Sequence, residues 1–400
     1  MLKALLLENI HPNAIKLLRD HSVELECLKE GLTENDLIAR LDGVDILGIR
    51  SRTHVTQRVL ERSDHLLAIG AYCIGTNQID LDAASLKGIA AFNAPYSNTR
   101  SVAELVIAET IFLLRRLYDK ILNAHQGIWD KSAENAREVR GKKLGIIGYG
   151  NIGSQVSMLA ESMGMDVYYY DVVDKLTIGN ATRTRTLHEL LAVAEVVTIH
   201  VDGNSSNTNL IDEREFTVMK DGVLLLNLSR GHVVNLEALR KNLESGKIAG
   251  AALDVFPVEP KDANERFVTP LQNYPNVLLT PHIGGSTEEA QENIAEFVTL
   301  KLLEYIRTGN TFTSVNFPKI NAPKSDDALS HRLMHVHQNV PGVLSQINGI
   351  FAKNNVNVLT QYLRTNELIG YVIADVDREY KDSLFDDLKH VGHTIKVRIV

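Results

Sequence analysis

Between an apolar run, Leu144–Ile147, and a helix-forming stretch that ends near Gly164 lie three glycines at a set spacing, Gly148-Tyr149-Gly150-Asn151-Ile152-Gly153. Few local patterns restrict a fold as tightly. The first glycine permits a tight turn, the second lets backbone approach a pyrophosphate, and the third lets the helix pack on the strand. The helix start then offers unpaired amides and the positive end of its dipole to phosphate. Such a triplet alone can be nothing more than a strand–helix turn. Here the next apolar run, Val167–Tyr170, ends on Asp171, and no arginine follows it directly. A carboxylate in that place accepts both ribose hydroxyls and repels a 2′-phosphate, so NAD is expected rather than NADP.

The turn opens a series of strand–helix units: Leu144–Ile147, Val167–Tyr170, Val196–His200, Val223–Asn227, Ala249–Leu253 and Val277–Leu279 read as strands. An earlier series has strands at Lys3–Leu7, Val23–Leu28, Asp45–Ile49, Leu66–Gly70 and Ile89–Phe92, with helices such as Asn13–Asp20, Asn35–Leu41 and Leu81–Leu86 between them. Alternation of this kind predicts an α/β chain with two doubly wound parallel-sheet lobes, one Rossmann-like and one flavodoxin-like, facing a cleft. A long helix is expected from Ser101, with Glu104 completing a capping box, and another from about Thr287 to Arg307. Gly127–Arg140 reads as irregular. After it, strands at Arg332–Gln338, Val356–Arg364, Leu368–Asp377 and Thr394–Val400, with helices Val343–Lys353 and Lys381–His390, give the order βαββαβ of a ferredoxin-like domain. The expected domains are 1–97 with 288–315 for substrate, 98–287 for the nucleotide, a linker at 316–328, and a tail domain at 329–400.

Bulk properties narrow the function. A chain of 400 residues with net charge −8 and no long basic run argues against nucleic acid or an anionic membrane as main partner. Cys27 and Cys73 are too far apart in sequence to suggest a zinc site or a disulfide framework, so no metal is expected and a reducing cytoplasm fits. The apolar stretch Val102–Leu114 is interrupted by Glu104 and Glu109 and reads as a buried helix rather than a membrane span. Met1–Asn9 lacks a cleavage pattern and reads as a first strand.

Three segments that follow strands of the second series carry the polar groups that hydride transfer needs. They are Asn227-Leu228-Ser229-Arg230-Gly231, Asp254-Val255-Phe256-Pro257-Val258-Glu259-Pro260 and Thr280-Pro281-His282-Ile283-Gly284-Gly285-Ser286-Thr287. Residues just past strand C-termini face the ligand crevice of a doubly wound sheet. Oxidation of a secondary alcohol needs a base near neutral pKa, which histidine supplies, and a carboxylate to orient it. An arginine can clamp a substrate carboxylate and polarise the new carbonyl. Taken singly, each residue also has a plain structural reading, as a surface ion pair or a capping group.

In order and spacing these segments resemble the D-isomer-specific 2-hydroxyacid dehydrogenase family. The resemblance implies that Arg230 binds substrate, Glu259 supports the base, His282 is the acid/base, and Asp254 sits beside the nicotinamide. It also implies that Gly148, Gly150, Asn151, Ile152, Gly153, Asp171, Leu228, Ser229, Arg230, Asp254, His282, Ile283, Gly284 and Gly285 form the NAD site. Over the whole chain it is closer still to the bacterial short-type branch acting on D-3-phosphoglycerate, through Gly48–Thr53, Cys73–Asn77, Phe92–Pro95 and Ser97–Glu104. That branch implies substrate contacts from Arg50, Ser51, Arg52, Ile74, Gly75 and Asn98. Trp129 and Lys131 match a segment that reaches an active site there, from the same subunit or a neighbour.

Arg50 and Arg52 have a physical rationale of their own. Alternation along an extended chain lets both face one side, where two guanidinium groups can share a phosphate and a carboxylate. The other reading makes one or both of them surface arginines.

The tail resembles an ACT domain, a small-molecule sensor. Positions matching His337, Asn339 and Asn357 bind L-serine in serine-inhibited relatives, whereas Val340 departs from their arginine. The resemblance implies a cytoplasmic homotetramer that is feedback-inhibited by serine, with reduction of 2-oxoglutarate to 2-hydroxyglutarate as a side activity. Three other readings stay open: a dehydrogenase of an unphosphorylated D-2-hydroxy acid, a nucleotide-sensing binding protein of the same fold, and a tail that only drives dimerisation.

Overall fold

The computed structural model describes residues 1–260, 265–323, 330–377 and 382–400. It divides into two compact units, Met1–Ser97 with Glu292–Val400, and Asn98–Gln291.

The first unit opens with β1 (Lys3–Leu6), β2 (Glu24–Cys27), β3 (Ile46–Ile49), β4 (Ala68–Ala71) and β5 (Ala90–Phe92), all parallel in the order β2-β1-β3-β4-β5. Every residue of β3, β4 and β5 is buried, which is why these strands are unbroken apolar runs rather than alternating ones. Each connecting helix starts on a side-chain cap: Thr33 accepts from the Asp36 amide, Thr56 from that of Val59, and Asp80 from that of Ala83.

The second unit holds β6 (Lys143–Ile147), β7 (Asp166–Tyr170), β8 (Thr182–Arg183), β9 (Val196–Ile199), β10 (Val223–Asn227), β11 (Ile248–Leu253) and β12 (Val277–Leu279). They form one parallel sheet, β12-β11-β10-β9-β6-β7-β8. The order reverses beside β6, so the glycine turn that follows this strand lies at the switch point where such sheets bind nucleotides.

Two details differ from the expectation. The first long helix begins at Thr99, not at a capping box on Ser101. The Ser101 hydroxyl instead meets that of Thr287 at 2.8 Å, and Glu104 pairs with Arg100, so neither side chain is left to cap the helix. That helix also breaks at Arg116 (φ 52°), and a second helix, Leu117–His125, follows with none of its residues buried. The two-residue polar strand β8 was absent from the expectation because it is too short to carry a pattern.

The tail forms an antiparallel sheet, β14-β15-β13-β16, from β13 (His331–Gln338), β14 (Val358–Thr365), β15 (Ile369–Val376) and β16 (Thr394–Ile399). Val343, Ile347, Phe351, Leu384 and Leu388 from helices Val343–Lys353 and Asp382–Lys389 pack on one face of it. On the other face Met334, Val336, Tyr371 and Ile373 join Val298, Leu302, Tyr305 and Phe92 in one continuous core. Tail and first lobe therefore share apolar burial, helped by Gly70, where a Cβ would come within 2.7 Å of Leu302.

Residues 316–323, expected as linker, are packed as well. The buried Asn316 side chain accepts from the Ala91 amide and donates to the Ile89 carbonyl, so it satisfies backbone groups of the sheet edge. The remaining linker positions, 324–328, and the expected helix residue Lys381 lie outside the described residues. Among the described residues, no helix is long and apolar enough to cross a membrane.

Candidate active site

The glycine turn is shaped by steric need. Gly148 adopts φ 90°, where a Cβ would lie 2.5 Å from the His200 carbonyl oxygen, and a Cβ on Gly153 would lie 2.2 Å from that of Gly148. At Gly150 the space is open, with nothing within 4 Å of an added Cβ. The helix that follows, Asn151–Ser162, has no side-chain cap, so its first amides are not taken by a capping side chain. Asp171 directly follows β7 with both carboxylate oxygens engaged, Oδ2 by the Tyr149 amide at 2.8 Å and Oδ1 by the Val173 amide at 2.9 Å. These residues fit a dinucleotide: an uncapped helix start, room at the middle glycine, and an acid fixed beside the turn. A cavity of about 250 Å³ adjoins them, lined in part by Lys175, Leu176 and Ile178. Sequence reasoning passed over this wall, because the 88% exposure of Leu176 is seen only in the fold.

At the end of β10, Asn227 organises the turn that carries Arg230. Its Oδ1 accepts from the amide and the hydroxyl of Ser229, and its Nδ2 donates to the Arg230 carbonyl at 3.0 Å. Gly231 then passes so close to Phe256 that a Cβ would overlap the Phe256 carbonyl.

Asp254, buried after β11, accepts from the Ile283 and Gly284 amides at 2.8 Å each and from the Thr280 hydroxyl at 2.6 Å. It thereby holds the loop on both sides of His282, whose φ of 54° is a left-handed conformation costing roughly 1 kcal/mol or more. His282 Nδ1 meets Glu259 Oε2 at 2.8 Å, and Glu259 Oε1 accepts from the Phe256 amide.

The electrostatics follow from this packing. The hydrogen bond to Glu259 raises the His282 pKa; burial opposes it, and the charges of Glu259 and Asp254 outweigh that of Arg230. Burial pushes the Glu259 carboxyl up, but His282, the Phe256 amide and Arg230 together bring it below its ordinary value. Behind them Glu109 is pushed up to about 8 by burial and then by the Asp254 charge. Glu109 Oε2 is buried without a hydrogen-bond partner, and the sequence reading assigned this residue no role.

The structure thus brings Asp254, Glu259, His282, Ile283 and Gly284 together, with Arg230 near enough for its charge to act on both members of the pair. Asn98 adjoins Gly285, where a Cβ would lie 2.5 Å from Asn98 Nδ2. Arg50, Ser51, Arg52, Ile74 and Gly75 belong to the other unit, on loops after β3 and β4. Trp129 is 83% exposed and Lys131 is exposed too, in the stretch that follows the unburied helix. In the tail, His337 is buried with Nε2 unpartnered and Asn339 donates to the Asn366 carbonyl; no hydrogen bond joins Asn357 to either among the described residues.

A parallel sheet of this order, with a dinucleotide turn at its switch point, defines a class of dehydrogenases that work with a nicotinamide nucleotide. Comparison with known proteins narrows the class. Residues 107–284 match the NAD-binding domain of D-isomer specific 2-hydroxyacid dehydrogenases, and residues 333–396 match an ACT domain like that of the AHAS small subunit. D-3-phosphoglycerate dehydrogenase of Haemophilus influenzae is 46% identical over 400 residues, covering 100% of this chain and 97% of that one. The protein of that name from Escherichia coli K12 is 47% identical over 402 residues with the same coverage. Among solved structures, D-2-hydroxyisocaproate dehydrogenase superposes with a TM-score of 0.72 at 27% identity, covering 79% of this chain and 100% of its own. D-lactate dehydrogenase from Aquifex aeolicus, complexed with NAD and lactic acid, gives 0.68 at 28% identity, again covering 79% and 100%. The chain belongs to the family of D-isomer specific, NAD-dependent 2-hydroxyacid dehydrogenases.

Proposed function

We propose that this chain oxidises the 2-hydroxyl of D-3-phosphoglycerate to the ketone of 3-phosphohydroxypyruvate, the first step of L-serine biosynthesis. The observation that carries the chemistry is the His282–Glu259 contact at 2.8 Å. With Nδ1 directed to the carboxylate, Nε2 is the ring nitrogen left to take the hydroxyl proton, and Glu259 stabilises the imidazolium that results. Arg230 pairs with the substrate carboxylate and polarises the forming carbonyl. The Gly148–Gly153 turn would hold the pyrophosphate of NAD and Asp171 its ribose, and Leu228, Ser229, Asp254 and Ile283–Gly285 would hold its nicotinamide, which would supply the hydride acceptor for C2. Arg50, Ser51, Arg52, Ile74, Gly75 and Asn98 hold the substrate, the arginines taking its phosphate. Identity of 46–47% to enzymes named for D-3-phosphoglycerate, over the whole of this chain, supports that substrate.

The tail is proposed to bind L-serine through His337, Asn339 and Asn357 in a cytoplasmic homotetramer. The buried, unpartnered His337 Nε2 supports a polar ligand there. Val340, where serine-sensitive relatives carry arginine, packs against the tail core, so the effector is held without that charge.

One assay tests the reading: NAD reduction with D-3-phosphoglycerate and with D-glycerate, each with and without millimolar L-serine. Turnover specific to the phosphorylated acid and lowered by serine is expected. Equal turnover of both acids would overturn the substrate assignment, and indifference to serine the effector. His282→Ala should bind NADH normally yet lose turnover by roughly 10²-fold or more. 2-Oxoglutarate with NADH in the same cuvette checks the side activity.

A further inference from the structure

The loop Arg50–Thr53 carries both candidate anion-binding arginines, yet it lies outside any helix or strand. Its backbone is held by side chains from distant parts of the same unit. Glu8 Oε2 accepts from the Arg52 amide at 2.9 Å and Glu8 Oε1 from the Thr53 amide at 2.8 Å. At the other end, Gln78 Nε2 donates to the Arg50 carbonyl at 2.6 Å and reaches the Gly75 carbonyl at 3.3 Å, so it ties the loop to the neighbouring candidate substrate loop. Glu8 and Gln78 are 7% and 4% exposed.

Glu8 is an unusual residue to find there. It forms no ion pair among the described residues, although a buried carboxylate ordinarily demands a cation or several donors. Charge-assisted bonds to two loop amides meet that demand. Glu8 and Asn9 also sit side by side in left-handed conformations, at φ 64° and 53°, which non-glycine residues adopt only when the surroundings enforce it. The Glu8 and Asn9 amides donate to the Glu30 and Leu28 carbonyls, and that enforces it. Opposite, Gly31 leaves so little room that a Cβ would lie 3.2 Å from Thr53 Oγ1 and 3.3 Å from Arg52 Cβ. A strained, buried carboxylate with both oxygens on one loop is built to give that loop a single shape.

We propose that Glu8 is a positioning residue for the substrate anion: by holding the Arg52 and Thr53 amides it sets the Arg50–Arg52 pair, and with it the preference for phosphorylated over unphosphorylated 2-hydroxy acids. The proposal rests on the reading of Arg50 and Arg52 as phosphate-binding residues. Glu8 touches no substrate itself, so its effect is on recognition rather than on hydride or proton transfer.

Glu8→Gln keeps the volume but turns an NH₂ toward one of the two amides and removes the charge from both bonds. In steady-state assays of the full-length enzyme, the KM for D-3-phosphoglycerate should rise about tenfold or more while the KM for NAD stays within about twofold. Arg50→Met, measured alongside, checks the underlying reading. If Arg50→Met raises that KM and Glu8→Gln does not, the positioning role is overturned and the arginine assignment stands. If Arg50→Met leaves it unchanged, the arginine assignment falls, and the role of Glu8 with it. Parallel losses of kcat, NAD affinity and melting temperature in Glu8→Gln would mark a general structural role and overturn the proposal. Should Glu8→Gln fail to fold, Glu8→Asp decides in the same assay: an intermediate rise in the KM for D-3-phosphoglycerate supports the proposal, and none overturns it.

Discussion

Nδ1 of His282 lies 2.8 Å from Oε2 of Glu259, and the other oxygen of that carboxylate is pinned by the Phe256 amide at 3.0 Å. The imidazole is therefore oriented by a group that is itself oriented. Its pKa lies above the ordinary 6.5 chiefly because of this bond. Alcohol oxidation needs the neutral ring, so kcat/KM for oxidation should rise with pH through a value above 6.5. Glu259→Gln removes the charge that favours imidazolium while burial remains, so the acidic limb should move to lower pH. The rate at the optimum should fall by roughly 10²- to 10⁴-fold, since the ring also loses its fixed tautomer. A pH–rate profile of the variant with an unmoved limb would break the pair.

Asp171 supports a second prediction. Both its oxygens already take amides, from Tyr149 and Val173, so the carboxylate cannot swing aside for a 2′-phosphate. Asp171→Ala should raise the KM for NAD about tenfold, the scale of losing a charged hydrogen bond, and leave the KM for NADP lower or unchanged. The ratio of kcat/KM for the two nucleotides reads this directly, and a ratio that stays put would remove Asp171 from the ribose site.

Glu109 makes the site pH-sensitive in stability. Its folded pKa, about 8, lies above the ordinary carboxyl value of 4.5. Between those values the folded chain keeps a proton that the unfolded chain has released, so stability falls as pH rises from about 4.5 to 8 and is level above that. Glu109→Gln keeps the shape of the side chain and removes the titration. Denaturant unfolding at pH 5 and pH 9 should therefore show the variant losing less stability over the interval than the parent, by an amount on the order of a few kcal/mol. Equal losses would mean that Glu109 is already ionised at pH 5.

The alternation of apolar runs with helical stretches was enough to place every strand of both parallel sheets except β8; central strands such as β3 and β10, buried on both faces, are apolar almost throughout, while the edge strand β2 was placed by its position in the series. The glycine turn and Asp171 were read from strand, spacing and acid, whereas Glu259 and His282 were paired through the family resemblance; the structure places Asp171 against the Tyr149 amide of the turn and Glu259 against His282. The start of the long helix was not legible. Ser101 and Glu104 match a capping box in sequence, but a hydroxyl from Thr287, distant in the chain, competes for the serine. The groups that hold the site in shape were hidden for the same reason. Glu109, Glu8 and Gln78 are buried polar residues whose role depends on partners brought close by folding: Glu8 meets Thr53 across 45 positions. The packing of residues 316–323 was masked in turn by their proline- and asparagine-rich composition.

The tail offers the last prediction. Arg332 and Asp375 form a bidentate pair at 2.7 and 2.8 Å, each side chain 2% exposed. Arg332 also donates to the carbonyls of Thr308, Ala322 and Pro323, so one guanidinium joins the tail sheet to the end of the long helix and the segment after it. Thr360 gives Asp375 a further donor at 2.7 Å. Such a pair adds little net stability over an apolar substitute, yet breaking it strands a charge away from water. Asp375→Asn should therefore destabilise the chain by about 3–5 kcal/mol, whereas the double replacement Arg332→Met with Asp375→Leu should recover part of that loss. Thermal unfolding of the three forms measures it. A single variant as stable as the parent would mean that water reaches Arg332, against the burial observed.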